Sequence, residues 1–224
     1  MLLLDCLIGL MLSLIILNPL LLNATKLLAK QMEYEKKQML MADGERALEL
    51  MGRAIRMAGY IHIHDVHRSV KTNKSNQLNQ LNQPNQHPLI SIEKNSGYRG
   101  SDSLQVKHGI SEAGDMDCIG NKLTPDRTRH GLAFQGFRLD HPVGMPKGAR
   151  VSGGALICQS LDRQGRLQNT TLMNGIQHLR IEELKPMAGA TSSPQKLYRI
   201  QLQMTDGQQI RLDVERSFST RNLL

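Results

Sequence analysis

The chain has 224 residues, a formal net charge of +8, 40% hydrophobic but only 3% aromatic residues, and three cysteines. That length accommodates one membrane helix plus one soluble domain large enough to bury a core, so one domain on a stalk is the economical count. A positive domain can meet nucleic acid, acidic sugars or lipid headgroups. Here the basic residues are scattered, aromatics are scarce and no nucleic-acid motif is present, so a solvated basic surface is the preferred reading and nucleic acid is left as an unsupported partner.

Residues 1 to 23, MLLLDCLIGLMLSLIILNPLLLN, form an apolar run whose only ionisable side chain is the carboxylate of Asp5. As a helix the run would extend about 34 Å, enough to cross a hydrocarbon core of about 30 Å. It lacks a basic n-region and a small-x-small cleavage site, which disfavours a cleavable secretory signal. A carboxylate inside a membrane costs on the order of 2.5 to 3.5 kcal/mol at a helix centre and is normally kept with a partner. Asp5 could simply snorkel to the headgroups. The sharper expectation pairs it with a positive group on another chain, an N-terminal amine being the nearest type of candidate.

No Lys or Arg precedes this span, whereas Lys26, Lys30, Lys36 and Lys37 follow it. The positive-inside rule would leave the bulk of the chain in the cytoplasm, in conflict with the oxidising compartment that the cysteines suit. A short basic leader, preceding Met1 and removed, would resolve the conflict.

From Ala24 to Met57 strong helix formers dominate, and Ala47, Met51, Ala54 and Ala58 recur at helical spacing beside Leu48 and Ile55. The spacing predicts a second segment, residues 24–59, in which the membrane helix continues into the soluble domain. Its stripe of Leu48, Met51, Ile55 and Met57 is predicted to cover one face of a sheet. Pro19 and Gly44 are the predicted places for a bend or local melting, and Ala58 or Gly59 the predicted helix end, near Tyr60.

The third segment, residues 60–224, begins with YIHIHDVHRS. His62, His64 and His67, with Asp65, invite a metal reading, but no second ligand cluster has a known spacing and exposed histidines near a loop are commonplace, so no metal is assigned. Residues 71–88, KTNKSNQLNQLNQPNQHP, have almost no apolar side chains and read as a disordered surface loop. Alternating stretches follow around Leu104 and Val106, Phe134 and Phe137, Ala155 and Ile157, and Leu179 and Ile181, indicating antiparallel sheet. In LYRIQLQMTDGQQIRLDVERSF, Tyr198, Ile200, Leu202 and Met204 face one way, Ile210, Leu212 and Val214 do likewise, and Asp206-Gly207 supplies a hairpin turn. A helix followed by a sheet makes the fold class α+β.

Cys6 lies in the apolar run, which leaves Cys118 and Cys158. Without CxxC spacing they do not suggest zinc or thioredoxin chemistry. In an extracytoplasmic domain they are expected to form one disulfide closing a loop of about 40 residues, worth about 2 to 4 kcal/mol. No GxSxG, HExxH, GxxxxGK[ST] or dinucleotide fingerprint is present, so no catalytic residue and no cofactor is assigned.

Taken together the parts resemble a type IV pilin-like protein, and specifically the PilW family of minor pilins, over nearly the whole chain. MLLLDCLIGL matches the family's apolar N-terminus with a carboxylate at the fifth residue, and RAIRMAGY at Arg53 to Tyr60 matches its helix end. GSDSLQVKHG at Gly100 to Gly109, DCIGN at Asp117 to Asn121, ALIC before Cys158, LMNGIQHLRIEEL at Leu172 to Leu184 and SFSTRN at Ser217 to Asn222 look like later family blocks, in order. The resemblance implies a non-catalytic minor pilin that primes assembly of a type IV pilus and is incorporated at or near its tip. Its partners would be other minor pilins, the major pilin and a prepilin peptidase. It would be held in the inner membrane by residues 1–23, with a periplasmic soluble domain. Met1 would be the processed and methylated N-terminus, and Asp5 would pair with a neighbouring subunit's N-terminal amine. The family usually has Phe at the first position and Glu at the fifth, where this chain has Met1 and Asp5. A PulJ-like type II secretion pseudopilin shares the helix and the carboxylate and is the nearest rival; a tip adhesin for DNA or surfaces is a second.

Overall fold

The computed structural model describes residues 2–60, 88–111, 114–129, 131–142, 153–184 and 195–221. They form a 56-residue helix, α1 (Leu2–Met57), followed by seven strands, which is an α+β order. The strands are β1 (Ile90–Glu93), β2 (Ser103–His108), β3 (Ala133–Asp140), β4 (Gly154–Leu161), β5 (Leu167–Leu184), β6 (Leu197–Thr205) and β7 (Arg211–Ser219). The chain divides into two compact units, Met1–Leu40 and Met41–Leu224.

In the first unit every described side chain from Leu4 to Met39 is exposed, including Leu7, Ile8, Leu10, Leu14, Ile15, Leu20 and Leu27. α1 continues through Pro19 and Gly44 without a break, so the helix does not melt at either residue. Proline lacks the amide hydrogen and crowds the carbonyl four residues back, and the surrounding strong helix formers carry the helix past it.

The second unit takes residues 41–57 of α1 as the cover of one sheet face. Burial begins at Gly44, and Ala47, Leu48, Met51, Ala54, Ile55 and Ala58 are fully buried. Met57, assigned to the same stripe, is only half-buried. Two glycines set the closeness of this packing. A Cβ at Gly44 would come within 2.6 Å of Met204 Sδ, and one at Gly52 would overlap the Phe218 ring. Gly44 is therefore a packing residue of the helix. α1 ends as the sequence predicted. Ala58 N–H still donates to Ala54, Gly59 takes φ +74°, and Tyr60 N–H closes on Met57. Beyond that point Gly59 N–H donates to Lys107 C=O and Gly109 N–H to Tyr60 C=O, which ties the helix end to the end of β2.

The sheet is a pure antiparallel meander in the order β1-β2-β3-β4-β5-β6-β7. Its core face collects Leu104, Val106, Phe137, Leu139, Leu156, Leu179, Ile181, Tyr198, Ile200, Leu202, Met204, Val214 and Phe218. Tyr198 through Met204 share that face at period two, as predicted. Phe134 and Phe137 do not, because an odd separation puts them on opposite faces; only Phe137 is in the core, and Phe134 is half-buried. β1 went unpredicted, since four residues are too few to display a period. The Asp206-Gly207 turn is present and spans residues 206–210, with Thr205 paired to Arg211. Asp206 Oδ1 accepts the N–H groups of Gln208, Gln209 and Ile210 at 2.9, 3.1 and 3.0 Å, organising the turn.

Candidate assembly segment and disulfide-anchored loop

Asp5 lies in the first turn of α1, fully within the exposed apolar stretch. Helical spacing puts it on one face with Ile8, Gly9 and Leu12, and a Cβ added at Gly9 would meet nothing within 4 Å. The first basic residue along the chain is Lys26, roughly 30 Å further along the axis at 1.5 Å per residue. No cationic side chain of the same helix can therefore reach Asp5. The positive end of the helix dipole favours a carboxylate there. Met1, named as the processed residue, lies outside the described residues. α1 is, by length and composition, a helix able to cross a membrane.

Cys118 and Cys158 are joined by a disulfide, with Cα atoms 6.1 Å apart, and Cys6 is free and exposed. Cys158 sits mid-way along β4, every residue of which is buried. The bond fastens the connection between β2 and β3 onto that strand. The connection is organised by a buried carboxylate. Asp117 accepts the N–H groups of Ile119 and Asn121 at 3.0 and 2.8 Å and the Asn121 amide at 3.2 Å, and it faces Arg127 at 3.6 Å. Asp115 accepts Ser111 N–H at 2.8 Å.

A third polar cluster was not foreseen. Asp102, almost wholly buried, accepts Lys94 Nζ at 2.8 Å, Ile181 N–H at 2.8 Å and Asn95 N–H at 3.2 Å. Burial alone would raise its pKa, but the Lys94 ammonium and the two backbone donors together hold it below the usual carboxylate range. The SDS triplet at 101–103 carried the signal, as two hydroxyls and an acid just ahead of a strand. Its partner, 79 residues further on at Ile181, has no trace in the local sequence.

His62, His64, His67 and Asp65, considered for metal, lie outside the described residues, as does nearly all of the Asn/Gln-rich stretch 71–88. Comparison of the chain with protein-family models, with curated proteins and with solved structures returned no match.

Proposed function

We propose that this chain is a minor pilin of the PilW type, held in the inner membrane and built into a type IV pilus at or near its tip. One observation carries the reading: a single unbroken helix whose residues 4–23 expose every apolar side chain and a lone carboxylate, while its last part is buried against a sheet. Such a helix has one half adapted to a folded domain and the other to a bilayer, or to the helices of neighbouring subunits. Transfer from lipid to a bundle of like helices conserves the burial of its apolar surface, and charge pairing at Asp5 then fixes the axial register. An unpaired carboxylate in that environment penalises every other stagger. The soluble domain lies in the periplasm, where the Cys118–Cys158 bond forms and persists.

The reading is tested by replacing Asp5 in the native host and measuring the chain in sheared pili. Asp5→Ala should remove it from the fibre fraction while leaving it in the membrane, and Asp5→Glu should retain it. Normal incorporation of the alanine variant would refute the pairing role. A requirement in protein secretion without surface fibres would assign the chain to the pseudopilins.

A further inference from the structure

The exposed part of α1 changes character after Asn23. Up to that residue its only ionisable side chain is Asp5, whereas the next stretch carries Lys26, Lys30, Lys36 and Lys37 against Glu33 and Glu35. Every residue from 24 to 39 is exposed. At about 3.6 residues per turn Lys26, Lys30 and Lys37 fall on one face, and Leu28, Met32 and Met39 fall on the opposite one. Among the described residues none of the four lysines lies in an ion pair. Glu35 is engaged instead by Gln31, whose Nε2 donates to it at 3.0 Å.

The depth of these lysines follows from the reading of residues 1–23 as a membrane span, on which this inference rests. A bilayer has about 5 to 7 Å of headgroup layer on each side of its hydrocarbon core. At 1.5 Å per residue Lys26 lies about 4 to 5 Å beyond Asn23, and Lys30 about 10 Å beyond it. Long side chains on a helix lean toward its N-terminus, which for both lysines is back toward the span. Their stems lie along apolar surface while the ammonium groups stay in the polar layer. Both charges therefore reach the level of the lipid phosphates. Lys36 and Lys37 stand about 20 Å beyond Asn23, outside the headgroup layer by more than the screening length of about 10 Å at 0.1 M salt.

We propose that Lys26 and Lys30 form a binding site for the headgroups of anionic phospholipids, so that the chain gathers such lipids around the end of its span. Charge complementarity fixes the occupant: two cations without an ion-pair partner, one helical turn apart on one face, stand at the depth where a bilayer places its phosphates. Side chains four residues apart on a helix are about 5 to 6 Å apart at Cβ, close enough for two ammonium groups to share one phosphate. Lysine is a point charge without the planar fork of arginine, so the site reads the net charge of a headgroup and not its shape. Each lysine near an anionic surface favours association about fivefold. The site lies at the opposite end of the span from Asp5 and is independent of it.

The chain has no tryptophan, so Leu22→Trp, one turn before Lys26 on the same face, supplies a single fluorescent reporter. The full chain carrying it is reconstituted into phosphatidylcholine vesicles in which a fixed fraction of either phosphatidylcholine or phosphatidylglycerol is brominated on its acyl chains. Bromine quenches the indole on contact. In about 0.05 M salt the brominated phosphatidylglycerol should quench as if at least about fivefold more concentrated at the helix than phosphatidylcholine at the same mole fraction. The preference should vanish in about 0.5 M salt and in the Lys26→Gln, Lys30→Gln double variant. It should survive in Lys26→Arg, Lys30→Arg and in Lys36→Gln, Lys37→Gln, with an unchanged circular-dichroism spectrum throughout. Equal quenching by the two lipids in the parent would overturn the headgroup site and leave the span in place. A preference that outlasts the loss of Lys26 and Lys30, or that is lost with Lys36 and Lys37, would overturn it as well. An indole quenched by neither lipid lies outside the bilayer, and that result would overturn the span and the headgroup site together.

Discussion

Gly52 lies so close to the Phe218 ring that an added Cβ would overlap it. Glycine in a helix interior costs about 1 kcal/mol relative to alanine, and its presence there is explained by this approach. Forcing a larger side chain into a well-packed core costs about 1 to 3 kcal/mol, occasionally more. Gly52→Leu should therefore lower the melting temperature of the purified chain by several degrees in a circular-dichroism melt. Gly9→Leu, with open space around it, should melt within a degree or so of wild type. Equal effects at the two sites would contradict the packing argument.

His108 is a second residue whose neighbours determine its state. Its Nδ1–H donates to Gly109 C=O at 2.7 Å, and Nε2, 3.1 Å from the Gln135 amide nitrogen, accepts from it, which is the neutral tautomer. Burial pushes its pKa below the usual 6.5, and Arg53 adds to this, while the Gly109 carbonyl and Asp115 oppose it. As pH falls below about 6.5 the unfolded chain takes up a proton that the folded chain resists, so stability declines. Asp102 works in a lower window. Its folded-state pKa is depressed, so its contribution is complete above the unfolded carboxylate value of about 4 and is lost as pH falls through the depressed one. Calorimetric melting from pH 7.5 down to pH 3 should show both declines. His108→Gln should flatten the upper one and leave the lower; an unchanged upper slope would exclude His108 as its source.

At the scale of elements, β4 is the strand on which the domain is built. All eight of its residues are buried, β3 and β5 flank it, and Cys158 fastens the Asp117 loop to it. Removing a disulfide of this loop length typically costs about 2 to 4 kcal/mol, and each kcal/mol is worth about 2 to 4 °C in a domain of this size. The Cys118→Ser, Cys158→Ser double variant should accordingly melt about 4 to 16 °C lower by calorimetry. A difference under one degree would mean that the loop is held by Asp117 and its donors alone. The last part of α1 has a second attachment at the sheet edge, where Arg216 of β7 pairs with Glu45 and Glu49; within the helix, Arg56 pairs with the same Glu49 at 2.6 Å. These pairs are partly exposed, and they orient the helix more than they stabilise it.

At the scale of the whole molecule, the parts legible in the sequence are those with a local period or a local stop. The membrane-length apolar run, the Leu48, Met51 and Ile55 stripe, the Gly59 terminus and the Tyr198 to Val214 hairpin were all visible because each signal fits within one or two turns or a few strand residues. The pairing of Cys118 with Cys158 was legible because only two cysteines lay outside the apolar run. What the sequence left hidden depended on contacts between distant residues. Gly44 looked like a bend because a glycine in a helix shows its propensity but not its neighbour, and its neighbour is Met204 on the sixth strand. The closure of β5 by Lys94, Ser101 and Asp102 depends on bonds across 78 to 87 residues. The sequence by itself determined an apolar helix with one carboxylate and a strand-rich domain, since burial and propensity act over short spans. Only the tertiary structure decided which glycines are packing sites and which acid closes an edge, because those are properties of register, and register is set when the strands meet.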